Sequence, residues 1–315
     1  MAIQHLVDGT ESSLRRFLQT LPPVDQVGAH ERAAMLGTRS IKTSSKRWAI
    51  DMAISMVDLT TLEGADTPGK VRALCSKALR PDPRDLTVPH VGAVCVYNDM
   101  VGIARHHLDS IGGHDLPVAA VSTAFPSGRA SHAVKIQDTK DAIELGATEI
   151  DMVIDRGAFL SGKLGEVFDE ISAIKSICGE RAHLKVILET GELVTLDNVR
   201  KASYLAMLAG ADFIKTSTGK VSPAATPPVV LVMLEAVRDY FSLTNNRIGV
   251  KPAGGIRTTK DAIKQLVLVN EIAGPEWLDP SLFRIGASAL LNDLLMQRMK
   301  MANGRYSSSN YVTVD

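Results

Sequence analysis

Two lysines stand near the ends of two apolar, strand-like segments, and glycine-rich chain follows each. Lys215 lies in DFIKTSTGK (Asp212 to Lys220) and Lys251 in IGVKPAGGIR (Ile248 to Arg257). A lysine buried at a strand end loses hydration, which lowers its pKa, and a second ammonium nearby lowers it further. A neutral lysine amine is a nucleophile that forms a Schiff base with a carbonyl. The pair therefore makes the chain readable as an enzyme. Side chains alternate faces along a strand. Phe213, Lys215 and Ser217 share one face, and Gly249, Lys251 and Ala253 share one face of the next segment. In the segment around residue 151, Ile150, Met152 and Ile154 form an apolar face, which leaves Asp151 on the other with Glu149 and Val153. Asp151, Lys215 and Lys251 could then converge. A structural cluster of ion pairs would show the same pattern, because buried charges persist when paired. Lys185 shares its face with Ile187 and Glu189 but lies early in its strand. Its place is deeper, as a partner for Asp151 or Glu149.

A second group of residues could hold an anion. Ala253, Gly254 and Gly255 follow one strand, and Gly286, Ala287 and Ser288 follow the next and open a short apolar helix, Ala289 to Met296. Glycine lets backbone N–H groups approach an anion, and a helix N-terminus favours negative charge. Lys220 and Arg257 could add charge. One Gly-Gly turn is weak evidence; two such turns after successive strands point to a phosphorylated ligand. The segment TGK before Val221 is not a nucleotide-binding loop, since the leading glycine and the following Ser or Thr are missing. Asp58, Thr60 and Thr218 could bind substrate hydroxyls or cap the next helix. Cys95, inside AVCVY, is a small core residue or part of a pocket lining.

Positioning these residues requires a scaffold of alternating elements. β-Branched segments appear at Val57–Thr60, Ala93–Tyr97, Val118–Thr123, Glu149–Ile154, Leu184–Leu188, Asp212–Thr216, Ile248–Lys251 and Phe283–Ile285. Apolar residues at a 3.6-residue period predict helices over Thr67–Leu79, Ala133–Leu145, Val167–Ile177, Asp197–Ala209, Pro228–Phe241 and Lys260–Val269. Such alternation implies parallel strands. Eight units in about 260 residues fit an α/β fold of the (β/α)₈ TIM-barrel type, whose active sites lie at the C-terminal ends of the strands and whose last two loops commonly hold phosphate. The rival, an open doubly wound sheet, favours a glycine fingerprint after its first strand, and VDLTTLEGADTP has none. Residues 1–47 read as an N-terminal helical extension packed outside a barrel domain of residues 48–302. Residues 303–315 read as a flexible C-terminal tail.

Composition narrows the function. The chain has 315 residues, 45% hydrophobic and 22% charged, as in a globular protein. Lys plus Arg equals Asp plus Glu, at 35 each, so the balance argues for neither a nucleic-acid nor a membrane partner. No apolar run is long enough to span a bilayer, and the N-terminus lacks the flank and core of a signal peptide. Three widely spaced cysteines, Cys75, Cys95 and Cys178, fit a reducing compartment better than a disulfide framework. A cytoplasmic protein is expected, without a metal or other cofactor, since neither CxxC nor HxxxH occurs.

DFIKTSTGK, VKPAGGIR, VDLTTL, TEIDMVI and ETGEL, in their order and spacing, closely resemble the deoxyribose-phosphate aldolases, over about Met52 to Met296 and nearest to the longer, animal-type forms. The resemblance implies that Lys215 is the Schiff-base lysine, Lys251 the lysine that lowers its pKa, and Asp151 the proton-relay carboxylate. It assigns Gly219, Lys220, Gly254, Gly255, Gly286 and Ser288 to phosphate. Where many bacterial members read GASS, this chain has Ala289 in the last place, one side-chain donor fewer. The implied reaction is reversible cleavage of 2-deoxy-D-ribose 5-phosphate to D-glyceraldehyde 3-phosphate and acetaldehyde, by an enzyme that could be a homo-oligomer. Another Schiff-base aldolase of transaldolase type, a phosphosugar isomerase and a non-catalytic phosphosugar-binding barrel remain as alternatives. Some relatives place a C-terminal tyrosine at the active site; Tyr311 has more slack to reach it than Tyr306.

Overall fold

The protein is described by a computed structural model over residues 7–305. Tyr306 and Tyr311, and with them most of the tail, lie outside the described residues. Three helices come first: α1 (Glu11–Thr20), α2 (Gln26–Leu36) and α3 (Thr43–Ser55). Strand and helix then alternate as β1 (Val57–Thr60), α4 (Pro68–Leu79), β2 (Ala93–Val96), α5 (Val101–Ser110), β3 (Val118–Ser122), α6 (His132–Glu144) and β4 (Glu149–Val153). The chain continues through α7 (Arg156–Leu160), α8 (Leu164–Cys178), β5 (His183–Ile187), α9 (Leu196–Leu208), β6 (Phe213–Lys215) and α10 (Pro227–Thr244). It ends with β7 (Gly249–Lys251), α11 (Thr259–Ile272), β8 (Ile285–Ala287) and α12 (Leu290–Asn303).

All neighbouring strands are parallel, in the order β7-β6-β5-β4-β3-β2-β1-β8. Single bridges from Val250 to Phe283 and from Ala253 to Gly286 draw β7 and β8 together. The result is a (β/α)₈ TIM barrel. The eighth strand differs from its expected span, Phe283–Ile285, because this stretch changes neighbours. Phe283 bridges to Val250 of β7, whereas Ile285 to Ala287 pair with Val57 to Leu59 of β1. Gly286 and Ala287, expected in a loop, are thus strand residues.

Helix boundaries follow local chemistry. The Thr67, Thr195 and Thr258 side chains each accept a backbone N–H at the start of α4, α9 and α11, and Thr258 forms a capping box with Asp261. The last helix runs to Asn303, beyond the expected Met296, and stops at Gly304 in the left-handed region (φ 68°). Helix α5 was not predicted. It buries Val101, Ala104 and Leu108, but Arg105, His106 and His107 interrupt the apolar pattern.

The main core lies between strands and helices. Ile150, Met152 and Ile154 of the β4 segment belong to it, as do Ile214 and Val250, so the opposite parity faces the barrel axis. The N-terminal helices add an outer layer. Leu14 and Leu18 of α1 are buried where that helix meets α8 and α9, and Ala29, Ala33 and Leu36 of α2 where it meets α10 and α11. Helix α3 crosses the position 47/48 expected as a domain boundary and packs against α11 and α12.

Candidate active site

Strand register brings the charged residues together. Asp151 is the partner of Lys185 across β4 and β5, Ile187 of Lys215 across β5 and β6, and Lys215 of Lys251 across β6 and β7. Inward parity then aims all four charged side chains at the axis. Lys215 and Lys251 each place Nζ 2.7 Å from the same oxygen, Oδ2 of Asp151. The two nitrogens are therefore no more than twice that distance apart. Lys185 donates to Oδ1 of Asp151 at 3.2 Å and also to Glu149, in the deeper position expected from its sequence. Lys251 makes a second ion pair, at 2.5 Å, with Oδ2 of Asp58. That contact lies off the hydrogen-bonding direction, leaving Oδ2 without a hydrogen bond.

Arg284 completes the network. Its guanidinium donates to Asp58 (2.7 Å) and Glu149 (3.1 Å), tying β1 to β4 across the barrel. The sequence reading gave it no role. It lies between the apolar Phe283 and Ile285, and alternation alone would have turned it inward. The cluster thus holds four cations (Lys185, Lys215, Lys251, Arg284) and three carboxylates (Asp58, Glu149, Asp151), all buried.

These surroundings set the protonation states. Burial pushes the Asp151 carboxyl upward, but Lys185, Lys215 and Lys251 outweigh it and hold the group well below the usual carboxylate range. Burial also opposes the charge on Asp58, and Lys251 and Arg284 prevail there, so it too is depressed. Lys251 is the mirror case: burial favours the neutral amine, yet Asp151 and Asp58 keep its pKa well above that of a free lysine. Lys251 is pinned as an ammonium by two carboxylates. Among the described residues Lys215 pairs with Asp151 alone, and it sits at the last residue of β6.

The remaining predicted residues separate by depth. Asp58 is fully buried in the ion network. The Thr60 hydroxyl donates to the Asp58 carbonyl at 2.8 Å. Thr218 donates through Oγ1 to Glu189 at 2.5 Å. None of the three caps a helix, since Thr67 and Thr226 occupy those places before α4 and α10. Cys95 is buried in a small apolar cluster inside the barrel with Leu62, Ala119 and Val121, covered by Tyr97 and Phe125. Desolvation raises its thiol pKa.

The glycine-bearing loops meet at the C-terminal mouth. A Cβ on Gly254 would come 3.3 Å from Cα of Gly219 and 2.7 Å from Cβ of Ala224, so the loops after β6 and β7 touch there. Ala253 bridges to Gly286, whose own Cβ would lie 3.3 Å from Cε of Lys251. Gly255 has φ +87° and open space where a side chain would stand. Lys220 reaches across the mouth to Glu63 at 2.9 Å. Arg257 and Ser288 are exposed. Helix α12 begins after Ala289 with no side chain capping its first N–H groups. Among the described residues, no group of three or more His, Cys, Asp or Glu is placed to hold a metal ion, and no helix is long and apolar enough to cross a membrane.

Comparison with known proteins identifies the family of the chain. The DeoC/LacD family of aldolases matches residues 52–295. The chain belongs to that family. The human deoxyribose-phosphate aldolase is 47% identical over 278 residues, covering 85% of this chain and 87% of the human one. The mouse enzyme of the same name is also 47% identical over 278 residues, with 86% and 87% coverage. Among solved structures, the deoxyribose phosphate aldolase of Aeropyrum pernix, described as a unique tetramer, superposes with a TM-score of 0.61 at 25% identity. It covers 84% of this chain and 98% of its own. This DeoC/LacD family member is therefore an aldolase, a lyase that acts on carbon–carbon bonds.

Proposed function

We propose that the enzyme is a deoxyribose-phosphate aldolase that cleaves 2-deoxy-D-ribose 5-phosphate to D-glyceraldehyde 3-phosphate and acetaldehyde, reversibly, through a Schiff base on Lys215. The names of its relatives support the substrate. The observation that carries the mechanism is the unequal anchoring of two adjacent lysines: Lys251 is held between Asp151 and Asp58, whereas Lys215 has only the carboxylate it shares. Of the two amines, Lys215 is therefore the one the ion network leaves freer to meet a carbonyl at the mouth of the barrel.

In the cleavage direction, neutral Lys215 attacks the C1 carbonyl of the open sugar, and water leaves to form an iminium. The iminium withdraws electrons, so the C2–C3 bond breaks as the C3 hydroxyl gives up its proton. Glyceraldehyde 3-phosphate departs and leaves an enamine. Protonation at C2 and hydrolysis release acetaldehyde. Asp151 relays protons, with Lys251 and water. While the Lys215 nitrogen is uncharged, Asp151 faces one cation fewer and becomes a better proton acceptor. Gly219, Lys220, Gly254, Gly255, Gly286 and Ser288 hold the phosphate, mainly through backbone N–H groups, and so orient the reacting carbons. Thr60, Thr218 and Cys95 line the path of the sugar, and Asp58 acts from beneath through Lys251. No metal or organic cofactor enters these steps. Three free, buried thiols fit a cytoplasmic setting.

Borohydride reduction in the presence of acetaldehyde tests the reading. An ethyl adduct is expected on the peptide containing Lys215. Lys215→Arg keeps the charge but cannot lose its proton, so it should fold, form no adduct and show no turnover. An adduct on Lys251 in the unmodified enzyme would reverse the assignment.

A further inference from the structure

The loop after β6 carries Gly219 and Lys220, and a buried acid from the neighbouring strand holds its backbone. Glu189 lies two residues beyond β5 in the left-handed region (φ 52°), an uncommon place for a residue with a side chain. Its carboxylate is fully buried. It accepts the Thr218 N–H with both oxygens, each at 3.3 Å, and the Thr218 hydroxyl at 2.5 Å. The same hydroxyl accepts the Lys220 N–H at 3.1 Å. A chain of hydrogen bonds thus runs from Glu189 through Thr218 to the backbone of Lys220.

The far side of the loop is braced from the same direction. A Cβ on Gly191 would lie 2.1 Å from the Pro223 carbonyl, so the turn after Glu189 rests directly on residue 223. The Thr190 N–H also donates to the Thr216 carbonyl at 2.9 Å. Among the described residues no lysine or arginine bonds Glu189, and burial pushes its carboxyl pKa up. A buried acid without a bonded cation is a costly structural device, and here both its donors belong to one residue of one loop.

We propose that Glu189 is a positioning residue for phosphate recognition. It fixes the loop after β6 so that the Gly219 N–H and the Lys220 side chain are held toward the sugar's phosphate. The proposal rests on the phosphate-binding role assigned to that loop above. Glu189 touches none of the reacting atoms in this scheme, so the Schiff-base chemistry on Lys215 should not depend on it. The carboxylate suits the task because it accepts from both donors of Thr218 at once. A glutamine offers one acceptor oxygen and turns its amide donors toward the other.

The test compares 2-deoxyribose 5-phosphate with unphosphorylated 2-deoxyribose, in the full chain and in Glu189→Gln. The KM for the phosphate ester and the inhibition constant of inorganic phosphate should both rise about tenfold, the effect of losing one charged hydrogen bond. The rate of borohydride trapping with acetaldehyde should stay unchanged, and turnover of free deoxyribose, which meets Thr218 but carries no phosphate, should fall far less than turnover of the ester. Equal losses for both sugars, or slowed trapping, would place Glu189 in the chemistry and overturn the proposal; so would a Gln variant indistinguishable from the parent. Should Glu189→Gln not fold, Glu189→Asp, which keeps the carboxylate, takes its place with the same readouts, and failure of both to fold would make Glu189 a stability residue only. If the parent enzyme itself shows no preference for the phosphate ester and no inhibition by phosphate, the underlying phosphate assignment fails, and this proposal with it.

Discussion

At the scale of single residues, the site depends on how many carboxylates each cation has. Lys251 and Arg284 each contact two carboxylates, as does Lys185, whereas Lys215 contacts one. The difference was not legible in the sequence. The two lysine motifs look equivalent there, and what separates them is Asp58, more than 150 positions away from either. Lys251→Leu should therefore have two effects. It removes one partner from two buried ion pairs, and such losses cost about 3–5 kcal/mol, read as a lower urea midpoint. Adding Asp58→Leu should return part of that loss, because the double variant no longer buries an underpaired acid; strictly additive losses would mean that the pair is not coupled. The second effect is on activity. With Lys251 gone, Asp151 loses one of the cations that hold its carboxyl down, so its pKa rises, turnover should fall and the rising limb of the pH–rate profile should move to higher pH. Each pH unit of movement corresponds to about 1.4 kcal/mol. A profile left in place would show that Lys251 does not act on the relay carboxylate.

At the scale of elements, alternation along the strands decided what was readable. The inward turn of Asp151, Lys185, Lys215 and Lys251 followed from the apolar residues on the opposite face, and those residues do form the outer core. The eighth strand was displaced because its residues divide between two neighbours, which local sequence does not encode. Close packing inside the barrel was also invisible. Gly249 of β7 lies under the Phe213 ring of β6, where a Cβ would come within 2.2 Å of the ring, and Lys185 sits 5.9 Å from the ring centre. Gly249→Ala should destabilise the barrel by about 1–3 kcal/mol through overpacking, seen as a lower thermal midpoint. Adding Phe213→Leu, which clears the space, should recover part of the loss. At the mouth, Ala289 begins α12 in a helical conformation (φ −83°, ψ −17°), not the extended one of a capping serine. Ala289→Ser should therefore leave the melting temperature unchanged while lowering KM for the phosphate ester a few-fold, roughly one neutral hydrogen bond's worth. A higher melting temperature with unchanged KM would make position 289 a capping site only.

At the scale of the whole molecule, a chain with zero formal net charge concentrates a surplus of positive charge inside its barrel, and its pH stability should reflect that interior. Asp58 and Asp151 have folded-state pKa values below those of the unfolded chain. The unfolded state then binds more protons in acid, so their contribution is present above the unfolded value near 4 and is lost as pH falls below it. Raised groups act at the other end, among them Lys251 and the buried thiols. Lys251 is raised well above a free lysine, and burial pushes the Cys75 and Cys178 thiols up to about 12 and about 11. Groups raised in the folded state contribute fully below their unfolded values and lose that contribution as pH climbs toward the folded ones. The thiols should begin to lose theirs above roughly pH 8.5, the value of a free cysteine, and Lys251 above roughly 10.4. The urea midpoint should thus stay level between about pH 5 and 8, fall steeply in acid and decline more gradually in alkali. Replacing Asp151 with Asn lowers the plateau but should flatten the acid limb, because one of the carboxylates that must be protonated on unfolding is gone. An acid limb of undiminished steepness in that variant would assign acid unfolding to surface carboxylates and not to the charged interior of the barrel.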